Sequence, residues 1–440
     1  MSLSASPERH RCGSSIAFSE SGFGPWLQDF FFQQMKDHVR RAVRIDFDSL
    51  ELCGGLGTAG IADACLGLNS KCVGIYDVNP DLVPWLQRLH GEFHEVIFCG
   101  KSVGNIMTIP VEEFPLAHKI VAGPPCPPWS TKGKRKSWDD ERSNPFWRSL
   151  EIIVHQAVHA SEKLQCFILE NVMGICNKDG NGVKPIDVVL GYLQQRLGQL
   201  WTVHVWKFNS RDFGLAATRP RVYIIGRRIR RLRNRRSLEP SSFTPKFARA
   251  VLLPGILEQS PAEAPVWNTS MYCATWRSHL DEYKSLFAVE MSSVAYSGCV
   301  ACFSIDRTPS GRAAWPTKKR IDYCECLTAN GPKLHVLSLG PRSTFIDSSF
   351  QSETQPWHDR PLSVRQRGRL QGFPDWFIDI GFTDASDKKA KKAEIAFGNA
   401  MSVPTIAVAT YIALSDFLNL ENPTMQSMLN GGETVQVNSF

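Results

Sequence analysis

Residues 50–58 read Leu-Glu-Leu-Cys-Gly-Gly-Leu-Gly-Thr, and they join a predicted strand to a predicted helix. The apolar run over 45–53 predicts the strand, and the apolar spacing over 58–68 predicts the helix. Glycines in such a turn let backbone N–H groups at the helix N-terminus come close to a ligand. Asp77 stands 20 residues after Gly57, at the end of the next predicted strand, where a carboxylate can accept hydrogen bonds from ribose hydroxyls. The stretch therefore favours a cofactor that contains a nucleoside.

The alternation of strands and helices continues to about residue 228. Further strands are predicted over 71–76, 96–99, 119–122, 166–169, 201–209 and 221–227, and helices over 25–44, 82–89, 148–163, 186–197 and 402–420. This order predicts an α/β fold whose mostly parallel sheet is covered by helices on both faces. The glycine spacing departs from G-x-G-x-x-G, which counts against NAD or FAD as the cofactor.

The composition is that of an ordinary globular protein. The hydrophobic fraction is 43%, and no apolar run comes near the roughly 18–20 residues that a membrane span needs. Residues 1–15 lack the apolar core of a secretory signal. We therefore expect a protein that is not secreted and binds no membrane, nuclear in a eukaryote and otherwise cytoplasmic. In such a compartment the 13 cysteines are thiols.

Positive charge is concentrated in one segment of the chain. Lys and Arg exceed Asp and Glu by only 7, but residues 227–236 contain seven arginines in ten positions. Such a run can neutralise the phosphates of a nucleic acid. A solvated surface segment or a nuclear-localisation signal would have the same composition, so the run by itself leaves these alternatives open.

Cys126 differs from the other cysteines in its surroundings. It lies in the stretch Gly-Pro-Pro-Cys-Pro-Pro-Trp-Ser over 123–130, directly after a predicted strand. Prolines fix φ and keep such a loop out of helix and sheet. The rigid loop would present one thiol at the carboxyl edge of the sheet, where α/β folds bind ligands. A rigid turn that carries a packed cysteine is the structural alternative.

Seven segments of the chain resemble, in the same order, the motifs of the C5-cytosine-specific DNA methyltransferases. They are 50–60 (LELCGGLGTAG), 123–130 (GPPCPPWS), 140–145 (DERSNP), 167–172 (FILENV), 217–221 (ATRPR), 360–374 (ending RLQGFP) and 397–404 (FGNAMSVP). The matches extend over about 45–228 and 360–410, more than half of the chain. The resemblance implies a Rossmann-like methyltransferase sheet that binds S-adenosylmethionine, with a smaller target-recognition domain inserted into it.

This resemblance and the irregular composition of 238–358, which is rich in Ser, Pro and Thr, predict the domain organisation. The predicted parts are an N-terminal extension with a lead-in helix (1–44), a catalytic domain (45–236), a target-recognition domain (237–385), a C-terminal return to the catalytic domain (386–425) and a tail (426–440).

The resemblance also assigns the chemistry. It implies methyl transfer from S-adenosylmethionine to carbon 5 of a cytosine that is flipped out of duplex DNA. Cys126 would add to carbon 6 as a thiolate, which makes carbon 5 nucleophilic. Glu170 would contact N3 and the exocyclic amine, while Arg219 and Arg221 would fix the carbonyl oxygen and order the catalytic loop. Residues 131–142, with several lysines, would close over the base near phosphates.

The cofactor residues that the resemblance implies come from every motif around the predicted pocket. They are Cys53, Gly55, Gly57, Asp77, Val78, Asn105, Ile106, Pro145, Asn399 and Ala400.

Five positions depart from the family pattern. Cys53 replaces a phenylalanine, Asn105 an aspartate, Pro127 and Ala217 glutamines, and Gln366 a glutamate. The nucleophile, the glutamate and both arginines are retained, so we expect activity.

Two other functions are compatible with the same motifs. A tRNA cytosine-5 methyltransferase of the same fold would carry a Cys-Phe-Thr string, and 302–304 (Cys-Phe-Ser) comes nearest to it. A catalytically weak DNA-binding homologue is the other alternative. The cysteines at 299, 302, 324 and 326 have a spacing that suits zinc poorly, so we expect thiols and no metal there.

Overall fold

A computed structural model describes the larger part of the chain. It covers residues 30–42, 45–90, 104–130, 137–229, 300–304, 334–339, 357–382 and 387–418, together with a few isolated positions between 274 and 285 and residues 324 and 420. The strand predicted over 96–99 lies outside the described residues. The domain boundaries given above remain predictions.

Six strands form the central sheet. They are β1 (Phe47–Leu52), β2 (Ser70–Tyr76), β3 (Lys119–Ala122), β4 (Cys166–Val172), β5 (Trp201–Asn209) and β6 (Pro220–Arg228). Their order is β2-β1-β3-β4-β6-β5. The first four are parallel, whereas β6 runs antiparallel to both of its neighbours. The predicted α/β fold class is confirmed. The antiparallel direction of β6 could not be predicted from the positions of the strands in the sequence.

Nine helices are described around the sheets. They are α1 (Phe30–Arg41), α2 (Thr58–Leu66), α3 (Val83–His90), α4 (Asn144–His159), α5 (Pro185–Leu197), α6 (Val364–Leu370), α7 (Asp375–Phe382), α8 (Asp387–Asn399) and α9 (Val403–Leu414). Helix α4 begins four residues earlier than predicted, because Pro145 is in its first turn, where a missing N–H costs no helical hydrogen bond. Helix α9 is shorter than the predicted 402–420.

Two hydrophobic clusters cover the two faces of the sheet. Along β4, Cys166 and Ile168 belong to one cluster, and Phe167 and Leu169 belong to the other, as the alternation of side chains in a strand requires. The first cluster contains all of the apolar residues of α9 and also Phe373 and Phe377, so the segment after 357 packs on the same core. The second cluster lies under α4 and α5.

One helical stretch within the described residues, 391–414, has the length and apolarity of a membrane span, which the sequence analysis did not expect. Inside the protein, 89% of its most apolar window is buried. Every residue of α9 is buried against α2, β4 and β6. The apolar composition of this stretch is therefore explained by its burial in the core of the fold.

A second, three-stranded sheet is formed by strands that follow β6 in the chain. Strands β7 (Val300–Ser304), β8 (Leu334–Leu339) and β9 (Trp357–Pro361) pair antiparallel in that order. Outside both sheets, an isolated parallel bridge joins Ala217, which precedes β6, to Cys324. The Thr218 N–H donates to the Cys324 carbonyl over 3.0 Å, so the inserted region is joined to the turn before β6.

Candidate active site

The loop that carries Cys126 leaves the sheet at the carboxyl end of β3, between β1 and β4. The Cys126 carbonyl accepts hydrogen bonds from the N–H groups of Trp129 (3.1 Å) and Ser130 (3.0 Å), which fold the loop into a tight turn. The thiol is half-buried. Cys126 therefore stands on a rigid turn at the sheet edge, in the position where the sequence predicted it.

Asn171 fixes this loop to the neighbouring strand. Its side-chain amide donates to the Pro124 carbonyl over 3.2 Å, and its side-chain oxygen accepts from the Val172 N–H over 2.8 Å. Asn171 is 2% exposed. Asn171 lies within the FILENV motif but is not among the predicted site residues; its place as a polar residue at the end of a buried strand is the signal that could have identified it.

Glu170 and Arg221 form an ion pair in which Arg221 Nε lies 3.0 Å from Glu170 Oε1. Both side chains are about nine-tenths buried. The antiparallel pairing of β4 with β6 sets Val172 opposite Arg221 and Glu170 opposite Tyr223, which brings the arginine beside the glutamate. The reversal of β6 thus assembles two predicted site residues that are 51 positions apart.

Burial and nearby charges act in opposite directions on the Cys126 thiol. Burial is the largest effect and raises the pKa of Cys126, whereas the positive charges of Arg221 and Arg219 lower it and the charge of Glu170 raises it. Any contact that neutralises Glu170 therefore favours the thiolate, which is the nucleophilic form of cysteine.

Arg219 makes hydrogen bonds that differ from those of Arg221. Its guanidinium donates to the carbonyls of Gly398 (3.3 Å) and Ala400 (2.8 Å), and its backbone N–H donates to Asn209 Oδ1 (2.9 Å). Arg219 thus holds the C-terminal return at the edge of the site. The resemblance suggested that Arg219 and Arg221 act as a pair on one base; in the structure they have separate partners.

The glycine turn and the end of β2 form the other half of the site. Asp77 accepts hydrogen bonds from the N–H groups of Gly55 (3.0 Å) and Asn79 (2.9 Å), and burial raises the pKa of its carboxyl group. Gly55 and Gly57 have φ values of +57° and +72°. A side chain at Gly55 would meet no atom within 4 Å, so the turn borders open space beside Asp77.

A second loop packs against Asp77. At Gly104, with φ of +66°, an added Cβ would lie 2.7 Å from the Asp77 nitrogen, so the two backbones are in direct contact. This contact brings Asn105 and Ile106 next to Asp77. Val78 is 65% exposed beside them, which is apolar surface that a ligand would cover. Pro145 is in the first turn of α4, in front of the same loop.

The glycine turn, the Cys126 loop (residues 123–130) and the C-terminal return meet at one point. An added Cβ at Gly123 would lie 3.5 Å from the Cys53 carbonyl oxygen and 3.5 Å from the Met401 sulfur. Cys53 has φ of +50°, an uncommon conformation for a residue with a side chain. Ala400 is buried and Asn399 is exposed at this junction. The structure therefore gathers the predicted cofactor residues on one edge of the sheet.

Two departures from the family pattern have structural explanations. Ala217 is 2% exposed and its backbone pairs with Cys324. The position is therefore tightly packed, and a small side chain stands where the family has a glutamine. Asn105 accepts a hydrogen bond from the Met107 N–H over 3.0 Å through its side-chain oxygen, which stabilises the turn after Gly104.

The first arginines of the basic run face the protein, not a nucleic acid. Arg227 is 1% exposed and lies 3.5 Å from the Asp416 carboxylate. Arg228 donates to both carboxylate oxygens of Glu162, over 3.0 and 2.5 Å. The nucleic-acid-binding alternative for the run therefore does not apply to these two residues, because the antiparallel β6 carries them to the end of the sheet opposite the Cys126 loop. Residues 230–236 lie outside the described residues.

The zinc alternative is largely outside the described part of the chain. Of its four cysteines, Cys324 is described with its side chain, which is fully buried. Among the described residues, no group of three or more His, Cys, Asp or Glu can hold a metal ion.

Comparison with known proteins identifies the class. The C-5 cytosine-specific DNA methylase family matches residues 47–413, and the chain belongs to this family. Members are S-adenosylmethionine-dependent enzymes that methylate carbon 5 of cytosine. The chain is 24% identical to the type II methyltransferase M.HpaII of Haemophilus parainfluenzae over 83% of its own length and 88% of the relative. It is 25% identical to M.NlaX of Neisseria lactamica over 82% and 94%.

Solved structures support the fold assignment. A variant of DNMT2 from Spodoptera frugiperda aligns with a TM-score of 0.52 and 16% identity over 83% of this chain and 99% of that one. A putative DNA modification methyltransferase encoded within an E. coli prophage aligns with a TM-score of 0.51 and 16% identity, over 84% and 99%. At this identity the likeness concerns the fold alone.

We expect Gly174→Ala to impair methyl transfer by displacing the Cys126 loop. An added Cβ at Gly174, in the turn after β4, would lie 1.9 Å from the Trp129 carbonyl oxygen, which is backbone of that loop. Since a misplacement of about 1 Å in an active site can lower the rate roughly a hundredfold, methyl transfer should fall by about that factor. Gly191→Ala is the matched control, because a Cβ there meets nothing within 4 Å. Equal methylation rates for the two variants would contradict the prediction.

Glu51 gives the fold a dependence on pH. Glu51 lies in β1 and is fully buried, and its carboxylate accepts hydrogen bonds from the N–H groups of Ala59 (3.2 Å) and Gly60 (2.8 Å) in the first turn of α2. Burial raises the pKa of Glu51 from 4.5 to about 7, against the effect of these bonds. The folded state therefore holds a proton that the unfolded chain releases between these values. Its contribution to stability is complete below pH 4.5 and is lost as the pH rises through 7.

The expected loss is on the order of 3 kcal/mol in the free energy of unfolding over this window. Urea unfolding at several pH values, compared between the wild type and Glu51→Gln, measures it, because glutamine does not titrate. A difference between the two proteins that stays constant from pH 5 to pH 8 would show that Glu51 is ionised throughout.

Proposed function

We propose that this chain methylates carbon 5 of cytosine in DNA through a covalent bond between Cys126 and carbon 6 of the base. One observation carries the proposal: Cys126 stands on a rigid turn beside the buried Glu170–Arg221 ion pair, on the sheet edge that also carries the Asp77 pocket. A thiol that served only for packing would need neither a charged pair nor a cofactor pocket at the same edge.

The steps follow from the reactivity of these side chains. The Cys126 thiolate gives an electron pair to carbon 6, and the S–C bond that forms leaves carbon 5 electron-rich. Glu170 in its protonated form donates a proton to N3 as the S–C bond forms and takes it back when that bond breaks, and Arg221 holds the Glu170 side chain in place. After carbon 5 has gained the methyl group, a base removes the carbon 5 proton. The S–C bond then breaks and Cys126 returns to the thiolate.

The charges around Cys126 favour this sequence of events. In the free protein Glu170 opposes ionisation of the thiol, while Arg221 and Arg219 support it. When the base binds, Glu170 takes up a proton from solvent and shares it with N3, so its negative charge no longer acts on the thiol. Ionisation of Cys126 thus becomes easier once the substrate is in place, which limits side reactions of the thiol in its absence.

The residues at the other half of the site fit S-adenosylmethionine. When bound, this molecule supplies an electrophilic methyl group. Asp77 would accept hydrogen bonds from ribose hydroxyls, and the exposed Val78 would cover the adenine. The glycine turn, with open space at Gly55, gives a ligand access to the N-terminus of α2. Ile106 and Pro145 would complete the apolar lining.

The target base has to leave the duplex to reach Cys126, so the proposal includes base flipping. The loop predicted to close over the base is fixed at both ends. The Ser137 N–H donates to the Pro128 carbonyl over 3.2 Å, and the rings of Trp129 and Trp138 pack edge to face at 5.0 Å. Its basic residues, 132–136, lie outside the described residues, and their contact with phosphates remains part of the proposal.

The experiment that tests the function is transfer of a radiolabelled methyl group from S-adenosylmethionine to duplex DNA and, in parallel, to tRNA. A DNA duplex with 5-fluorocytosine tests the covalent step, because carbon 5 then has no proton to lose and the adduct persists in denaturing gels. Label in DNA together with a trapped adduct is the expected result. Label in tRNA alone would indicate the RNA-modifying alternative, and DNA binding without any label would indicate a catalytically silent homologue.

A further inference from the structure

We propose that Arg148, which the cofactor motifs do not include, is a positioning residue for the cofactor site. The inference rests on the proposed function, since it concerns the same pocket. Arg148 lies on α4, one turn after Pro145. Its guanidinium connects this helix to the loop that carries Asn105 and Ile106.

The contacts of Arg148 use three different nitrogen atoms. Nε donates to the Ile106 carbonyl over 3.0 Å, and Nη2 donates to the Ile109 carbonyl. Nη1 donates to Glu151 on the same helix over 2.8 Å. The planar fork of an arginine is suited to hold two carbonyls and a carboxylate at once. The side chain is 19% exposed, so it is ordered by packing as well as by these hydrogen bonds.

The loop that Arg148 holds is a wall of the proposed cofactor pocket. Gly104 brings its backbone against Asp77, and the side chains of Ile106 and Ile109 are 3% and 5% exposed in the second hydrophobic cluster. Between these anchors the loop turns at 105–108, where the Thr108 N–H donates to the Asn105 carbonyl over 3.1 Å. Arg148 is bonded to the Ile106 carbonyl within this turn and to the Ile109 carbonyl directly after it.

A functional consequence follows from the position of these bonds. Without Arg148 the loop at 105–109 keeps its buried side chains but loses the two hydrogen bonds that fix the Ile106 and Ile109 carbonyls. The wall would then have to be ordered when the cofactor binds, and the cost of that ordering would weaken binding. Cys126, Glu170 and Arg221 belong to other elements, so the chemical step itself should be unaffected.

The test compares Arg148→Met and Arg148→Lys with Glu151→Gln. Glu151→Gln removes the charge partner of Arg148 on the helix surface but leaves both loop carbonyls bonded, so it separates the loop contacts from the ion pair. A lysine has one ammonium group in place of the fork and cannot hold two carbonyls in the same geometry. Calorimetry of each apo protein with S-adenosylmethionine gives the affinity, and initial rates on duplex DNA give kcat and KM.

We expect both Arg148 variants to bind S-adenosylmethionine about ten- to a hundredfold more weakly, with a raised KM for the cofactor and an unchanged kcat. Glu151→Gln should match the wild type. Equal affinities for the wild type and both Arg148 variants would overturn the inference and leave the proposed function intact. A fall in kcat with unchanged KM would also overturn it. A wild type that binds no S-adenosylmethionine would overturn both.

Discussion

Cys126→Ser is expected to abolish methyl transfer to DNA. A serine hydroxyl has nearly the shape of the thiol, but it is not ionised at neutral pH and adds poorly to carbon 6 of a pyrimidine. Because loss of the nucleophile removes the covalent route, the rate should fall by at least about a thousandfold. The measurement is methyl incorporation into duplex DNA, with binding of S-adenosylmethionine measured on the same preparation. Binding should persist, since Cys126 lies outside the Asp77 half of the site.

Cys176→Ser is the matched control. Cys176 is also a half-buried thiol. It lies in the turn after β4, which contacts the Cys126 loop through Gly174. It has no place in the proposed reaction, so its replacement should leave the methylation rate within about twofold of the wild type. Appreciable activity in Cys126→Ser, or an equal loss in both variants, would rule out Cys126 as the nucleophile.

Lys119→Met is expected to cause a large loss of stability. Lys119 is the first residue of β3, and its ammonium group pairs with the Asp63 carboxylate of α2; both side chains are completely buried. Removal of one partner leaves an unpaired charge in the protein interior. The free energy of unfolding should fall by roughly 3–5 kcal/mol. Urea unfolding monitored by circular dichroism measures the change.

The double variant Lys119→Met with Asp63→Leu is the control for this interpretation. It removes both charges and replaces them with apolar side chains of similar volume, so it should recover most of the lost stability. A double variant as unstable as Lys119→Met would mean that shape and not charge is responsible. Lys119 also lowers the pKa of Glu51, so its removal should extend the pH-dependent loss of stability to higher pH.

Much of the fold was predictable because local patterns determine it. The short apolar runs predicted all six strands of the central sheet, with boundaries shifted by at most three residues, and the glycine turn identified the entry to α2. The turn at Cys126 was predictable for the same local reason, since four prolines around one cysteine leave the backbone little freedom. The location of the site at the carboxyl edge of the sheet follows from the fold class, because α/β folds bind ligands at the carboxyl ends of their parallel strands.

Contacts between distant segments were not predictable in this way. The ion pair of Glu170 with Arg221 depends on β6 running antiparallel to β4, and strand propensity carries no information about direction. The bonds from Arg219 to Gly398 and Ala400 join residues about 180 positions apart. Arg148 reads in the sequence as an ordinary helix-surface arginine, and its hold on the loop at Ile106 is visible in the tertiary structure alone.

The basic run over 227–236 shows the same difference between what the local sequence determines and what tertiary contacts determine. Its composition indicated a charged segment, but the fold decided that Arg227 pairs with Asp416 and that Arg228 pairs with Glu162. Local sequence fixes which residues are strands, turns and candidate nucleophiles, because backbone preferences act over a few residues. Packing decides which charges are buried together and which segments hold the site, because that depends on the free energy of bringing distant parts of the chain into contact.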